Sequence, residues 1–298
     1  MKELKKRFLK QLRSLSHSRS LHRLFSDWLE IAAIAMHQLP YISGELEKGD
    51  KFEQLEAQYM ERIQPYSQDE LTVFSELLSL IMVAYHNDFG DLLGELAGEE
   101  NLLNKCRGQF FTPYHLCRAI AKMSFGNVEA QVKAKGGILT VCDPAVGAGA
   151  LVIASAEEVA SQGIDPRVHL QFDCTDISRD AFNMAYIQLS ALGLQAVVRH
   201  GNTLSNEYWE HRATAQLLLF DRWLAAKREE QRRVEAMKAI LTGLFSAEVK
   251  MPPANEVAPF QQSDTLFDLE QFTAPKRSKK KASKPADVNL GEQMKLFG

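Results

Sequence analysis

The chain has 298 residues, of which 45% are hydrophobic and 24% charged, and its formal net charge is −3. These values allow about two ordered domains with a buried core. The sequence has no long apolar run and no signal-peptide pattern, which predicts a cytoplasmic protein with no membrane partner. The four cysteines show no C-x-x-C spacing, which argues against a zinc site and a disulfide framework.

The first 107 residues predict a helical N-terminal domain. Leu21 to Leu39 carries apolar residues at helical spacing, and Ser67 with Glu70 forms a capping-box pattern before the run Leu71 to Tyr85. The chain opens on an amphipathic segment that is rich in basic residues: Lys2, Lys5, Lys6, Arg7, Lys10 and Arg13. This basic face is either a contact for DNA phosphates or a solvated face of an ordinary amphipathic helix.

Two motifs follow, and the second is a glycine loop. The first is Gly108-Gln109-Phe110-Phe111-Thr112-Pro113, and the glycine loop runs from Cys142 to Ala150. The loop lies between the apolar stretch Ile138 to Val141, typical of a buried strand, and the helix-forming stretch Leu151 to Ala160. Glycines allow backbone angles and a close approach that a Cβ would block, and a helix N-terminus presents free N–H groups. This junction predicts a nucleotide-cofactor site.

A third motif is the acidic end of a second predicted strand. Val168 to Phe172 is apolar and leads into Cys174-Thr175-Asp176-Ile177-Ser178. In dinucleotide-binding folds, an acid at the tip of such a strand accepts hydrogen bonds from ribose hydroxyls. Asp176 therefore extends the predicted cofactor site beyond the glycine loop.

Together the three motifs closely resemble those of N6-adenine DNA methylases of the type I restriction-modification modification-subunit kind, from about Asp88 to Leu204. The resemblance implies an α/β, Rossmann-like methyltransferase core that binds S-adenosylmethionine and acts on DNA. It also implies a helical domain that precedes the core and grips DNA and a second methylase or restriction subunit. The cofactor-binding positions that it implies are Phe111, Thr112, Pro113, Asp143, Ala145, Gly147, Gly149, Asp176, Ile177 and Asn202.

The resemblance also implies a role for each part of this site. Thr112 and the backbone around Phe111 would meet the methionine carboxylate, and Asp143 with the glycine loop would hold the amino-acid end of the cofactor. Asp176 would bind the ribose. Asn202 stands where the family usually has an Asp that contacts the adenine, and Asn keeps the acceptor oxygen while adding two donors.

Each of these positions also has a purely structural interpretation. Asp143 has the pattern of an Asx turn, and Asp176 is a candidate N-cap for a helix predicted from Arg179 to Leu192. Thr112 with Pro113 fits a helix start, with Thr as N-cap and Pro at the first helical position. Asn202 fits a plain turn as well as it fits an adenine contact.

The catalytic motif of the resembled family, Asn/Asp-Pro-Pro-aromatic, does not occur in the sequence. Where it is expected, after Leu217 to Phe220, the chain has an acid and an aromatic without the prolines, so Asp221 and Trp223 are the remaining catalytic candidates. The pattern from Trp223 to Leu244 predicts a charged helix where a complete methylase would have further strands. We therefore expect a truncated core. Three hypotheses stay open: a methyltransferase that a partner chain completes, a non-catalytic accessory or anti-restriction protein that binds DNA or a partner, and a stand-alone DNA factor tethered to a sliding clamp.

The composition shifts to Pro, Gln, Ser and Lys past about Lys250, where order should end. The sequence thus predicts three parts: a helical domain at 1–107, a methylase-like domain at 108–245 and a disordered tail at 246–298. The tail contains a basic run, Lys276 to Lys284, which is either a nonspecific DNA contact or a solvated linker. Thr265 to Leu269 is a second apolar island, for which we expect docking on the body or on a partner. The terminal Gln293, Leu296 and Phe297 resemble a sliding-clamp-binding peptide.

Overall fold

A computed structural model describes residues 2–16, 19–86, 88–99, 102 and 111–245. The 107/108 boundary, Gly108 to Phe110 and the whole tail with its three predicted segments lie outside these residues. The described chain opens with helices: α1 (Lys2–Ser14), α2 (Leu21–Ile42), α3 (Asp50–Ile63), α4 (Gln68–Tyr85) and α5 (Leu92–Glu99). The capping box predicted before α4 is confirmed, because the Ser67 side chain accepts from the Glu70 backbone N–H and the Glu70 carboxylate accepts from the Ser67 N–H.

Helices and strands alternate in the second part of the described chain. Its elements are α6 (Tyr114–Ser124), α7 (Val128–Ala134), β1 (Leu139–Asp143), α8 (Ala150–Ser161), α9 (Pro166–His169), β2 (Leu170–Asp176), α10 (Arg179–Ala191), β3 (Gln195–Asn202), β4 (Glu207–Ala213) and α11 (Ala215–Phe245). The sheet order is β1-β2-β3-β4, with the first three strands parallel and β4 antiparallel to β3. The predicted mixed α/β class is confirmed.

One continuous hydrophobic core joins the early helices to the sheet. It runs from Phe8 in α1 through Trp28 in α2 and Phe74 in α4 to Phe172 in β2 and Val198 in β3. Burial differs along the sheet, since β2 is buried almost throughout whereas β1 has exposed residues at alternate positions. Among the described residues, β1 is an edge strand that pairs only with β2.

Two segments differ from the sequence predictions. The strand expected from Val168 begins at Leu170, because Asp165 caps a short helical turn in which Pro166 occupies a first-turn position. The segment Leu217 to Phe220, after which a catalytic loop was expected, is the first part of α11. Leu217 and Phe220 are buried there, so the apolar run serves helix packing.

Candidate functional site

The two predicted acids lie at the same end of the sheet. Asp143 is the last residue of β1 and Asp176 the last residue of β2, which pairs in parallel with β1. The carboxyl ends of neighbouring parallel strands open onto one crevice, where ligands of open α/β sheets bind. The sequence prediction that these two acids share a site is consistent with this placement.

The glycine loop folds over the end of β2. The Gly147 N–H donates to Asp176 Oδ2 at 2.9 Å, and the Val146 N–H donates to the Thr175 carbonyl at 2.9 Å. Gly147 has a φ of 58° and Gly149 a φ of 101°, both in the left-handed region that favours glycine. Helix α8 begins directly after Gly149, so the loop also forms a helix N-terminus.

Both acids use one oxygen to shape the local backbone. Asp143 Oδ1 accepts from the Ala145 N–H at 3.1 Å, which is the predicted Asx turn, and Asp176 Oδ1 accepts from the Ser178 N–H at 2.8 Å. The prediction that Asp176 is the N-cap of α10 is wrong. Ser178 is the N-cap, and its side chain accepts from the Ala181 N–H.

Electrostatics make this edge of the sheet favourable for a cation. Burial raises the pKa of the half-buried Asp143 carboxyl, the Ala145 N–H opposes that shift, and the negative charge of Asp176 raises the pKa further. A positively charged ligand group beside the two carboxylates would relieve their repulsion. A sulfonium or ammonium group meets this requirement.

The described part of the first motif packs against the glycine loop. A Cβ on Gly147 would lie only 3.2 Å from the Phe111 ring, so glycine is needed for this close approach. Thr112 and Pro113 follow at the surface. The prediction that Thr112 is a helix N-cap is wrong, because Pro113 holds the N-cap position of α6 and no side chain caps that end.

The ends of β2 and β3 carry the remaining predicted residues. Ile177, directly after Asp176, is 58% exposed and therefore accessible to a ligand. Asn202 Oδ1 accepts from the Leu204 N–H at 3.0 Å, as the turn interpretation predicted. The side-chain nitrogen of Asn202 takes no part in this hydrogen bond. Thr203, which the sequence analysis missed, donates from Oγ1 to the Pro144 carbonyl at 2.7 Å and ties this turn to the loop after β1.

Sequence reasoning also missed Gln188 and Trp209. Gln188 on α10 donates to the Ala148 carbonyl of the glycine loop at 2.7 Å. Trp209 on β4 is 57% exposed, and its ring centroid lies 4.8 Å from that of His200 on β3. A polar residue inside the apolar pattern of a helix was the only available signal for Gln188.

The catalytic candidates Asp221 and Trp223 lie within α11, and their side chains are outside the described part of the structure. In the described ranges, no group of three or more His, Cys, Asp or Glu side chains is arranged to hold a metal ion. None of the described helices has both the length and the apolar character that crossing a bilayer requires.

In a comparison with protein families, residues 87–233 match the family model described as N-6 DNA Methylase. The match includes the described part of the first motif, the glycine loop, Asp176 and Asn202. It ends inside α11. No curated protein and no solved structure matches the chain.

Proposed function

Residues 87–233 belong to the N-6 DNA Methylase family, and on this premise we propose that the crevice at the ends of β1 and β2 binds S-adenosylmethionine. The observation that carries the proposal is the hydrogen bond from the Gly147 N–H to Asp176, beside Asp143. It joins a left-handed glycine loop at a helix N-terminus to the carboxylate at the end of β2, while Asp143 ends the adjacent strand β1. Bound there, the cofactor would supply an electrophilic methyl group.

The residues present fit the chemistry of this cofactor. The Asp143 and Asp176 carboxylates favour the cationic methionine end, and Asp176 keeps acceptor capacity for ribose hydroxyls because each of its oxygens has a second lone pair. The exposed Ile177 side chain offers an apolar surface for the adenine. Thr112, Pro113, Ala145 and Asn202 complete the proposed cofactor site.

DNA is the proposed macromolecular substrate, in keeping with the family. Lys6, Arg7 and Lys10 on α1 are exposed and have the charge needed to contact phosphates. We propose a Rossmann-like core that is truncated, because a long helix follows β4 in the place expected for the catalytic loop. Methyl transfer would then require a second chain that supplies the Asn/Asp-Pro-Pro-aromatic loop.

The long helix α11, which stands in the place expected for the catalytic loop, also supports a second candidate. This candidate is a non-catalytic accessory protein that uses the fold to bind DNA or a partner. The two candidates differ in one measurable respect. The first predicts that labelled methyl groups enter DNA when cell extract supplies the missing chain, and that Asp143→Ala abolishes the incorporation. The second predicts no incorporation that depends on Asp143, with DNA binding retained in Asp143→Ala.

The first test is calorimetric titration of S-adenosylmethionine into the wild-type protein and Asp143→Ala. Asp165→Ala is the matched control, because Asp165 also accepts one backbone N–H, from Arg167 at 2.9 Å, but lies at the start of α9. We expect binding to the wild type and the control and loss of at least about 2 kcal/mol in Asp143→Ala, the usual scale for a charged hydrogen-bonding partner. Equal affinity in both variants would refute the proposed site.

A further inference from the structure

Gln188 joins the glycine loop to the N-terminal helices. Its side chain is fully buried, and its Nε2 donates both to the Ala148 carbonyl at 2.7 Å and to Asp91 Oδ1 at 2.9 Å. Its Oε1 accepts from the Leu93 backbone N–H at 2.9 Å and from the Tyr85 hydroxyl. Both donors and both acceptor directions of the amide are therefore used.

The far side of this network lies at the last residue of α4 and the start of α5. Asp91 Oδ1 also accepts from the Gly94 N–H at 2.9 Å, and the Tyr85 hydroxyl accepts from the Leu92 N–H at 3.1 Å. Tyr85 and Asp91 are buried. A buried polar group that loses its partner costs free energy, so these residues hold one another in a single arrangement.

The loop side of the network is a backbone that needs support. Ala148 lies between Gly147 and Gly149, which both have left-handed φ angles. Helix α10 meets this turn twice, through the Gln188 hydrogen bond and beside Gly149, where an added Cβ would lie 3.8 Å from Ala185 Cα, an ordinary van der Waals contact. The Ala148 carbonyl that Gln188 contacts belongs to the same peptide group as the Gly149 N–H, so this hydrogen bond bears on the direction of both.

We propose that Gln188 and Asp91 are positioning residues, through which the last residue of α4 and the start of α5 set the conformation of the glycine loop. The role in cofactor affinity rests on the proposed S-adenosylmethionine site. The conformation of the loop does not, because it is measurable without a cofactor. The two parts of the proposal therefore have separate readouts.

Gln195 provides a matched control for Gln188. It is also fully buried, it donates from Nε2 to the Arg167 carbonyl at 2.8 Å, and its Oε1 accepts from Gln171 Nε2 at 3.0 Å. It begins β3, at the end of the sheet opposite the glycine loop. Gln195→Met and Gln188→Met thus remove the same kind of buried amide from two places, of which only one touches the loop.

The experiment measures amide hydrogen exchange at Gly147 and Gly149 without cofactor, followed by titration with S-adenosylmethionine. These two N–H groups are informative because they donate to Asp176 and to the Val146 carbonyl. We expect both variants to unfold at a lower temperature than the wild type. Only Gln188→Met should speed exchange at the two glycines, and only it should raise the Kd, by about tenfold, which corresponds to about one hydrogen bond.

A second pair of variants tests the relay through Asp91, which does not touch the loop. Asp91→Asn keeps the Oδ1 acceptor for Gln188 and should keep exchange at Gly149 slow, whereas Asp91→Ala should speed it. Equal exchange at Gly149 in Gln188→Met and Gln195→Met, or unchanged exchange in Asp91→Ala, would overturn the proposal. If the wild type binds no S-adenosylmethionine, the proposed function fails, and the exchange comparison still decides the positioning role.

Discussion

Asp91 shows how a single residue connects local charge to the stability of the fold. Its carboxyl is 3% exposed, and burial raises its pKa from 3.8 to about 6 against the opposing hydrogen bonds from Gln188 and Gly94. The titratable groups that face it from other positions are Lys5, Tyr85, Glu95, Tyr114 and Cys117. Because the folded pKa is the higher one, the folded state binds the proton more tightly than the unfolded state does. The contribution of Asp91 to stability therefore decreases as pH rises from about 4 to about 6.

Asp91→Asn should change this pH dependence in a defined direction. The variant keeps an acceptor oxygen and removes the buried charge, so its stability relative to the wild type should increase between pH 4 and pH 6. The full change is about 3 kcal/mol for a shift of about two pKa units. Urea unfolding at several pH values measures it. A stability difference that stays constant with pH would contradict the prediction.

At the scale of single residues, the sequence predicted those residues whose role follows from their neighbours in the chain. The Asx turn of Asp143 and the left-handed angles of the glycine loop are local, and both are present. The N-cap predictions for Thr112 and Asp176 failed because the helices begin one and two residues later than those caps require. Gln188 could not be identified, because its partners lie 40 and 97 residues away in the chain.

At the scale of elements, the helices and strands follow from periodicity and caps, whereas strand neighbours do not. The capping box of α4 and the strand ahead of the glycine loop were both visible in the sequence. The antiparallel placement of β4 was not predicted, because it depends on pairing with β3 and not on a motif. The type of element formed by Leu217 to Phe220 could not be predicted, since a short apolar run fits a buried strand and a helix equally well.

Ser67→Ala should destabilise the protein because it removes the N-cap of α4. The side chain accepts from the Glu70 N–H at 3.3 Å, and the Glu70 carboxylate also pairs with Arg19 at 2.7 Å. Loss of the cap should lower the free energy of unfolding by about 1 kcal/mol. Ser75→Ala is the control, because Ser75 lies inside α4 and its hydroxyl bonds only the carbonyl of the preceding turn. Comparable losses in the two variants would argue against a capping effect.

At the scale of the molecule, ion pairs reinforce the shared core between the early helices and the sheet. Arg179 on α10 pairs with Glu30 of α2 at 2.9 Å and with Glu210 of β4. Glu210 in turn pairs at 2.7 Å with Arg212, whose side chain is fully buried. Such coupled, partly buried charges are costly to separate one at a time. The helical region and the sheet should therefore unfold together, whatever the position of the predicted boundary near residue 107.

A chain that ends at residue 245 tests this view of the whole molecule. The buried core residues of the described chain extend from Phe8 to Phe220, so removal of residues 246–298 should leave the unfolding temperature and the affinity for S-adenosylmethionine unchanged. Clamp binding should be lost if Gln293, Leu296 and Phe297 carry it.

Unfolding of the shortened chain should occur in one transition. Trp28 is buried among Phe8 and Phe25 and reports on the early helices when Trp209 and Trp223 are replaced by Phe, while circular dichroism reports on all helices. Coincident curves from the two probes are the expected result. Two separate transitions would show that the early helices form an independent domain. A lower unfolding temperature than that of the full chain would mean that residues 246–298 contribute to its stability.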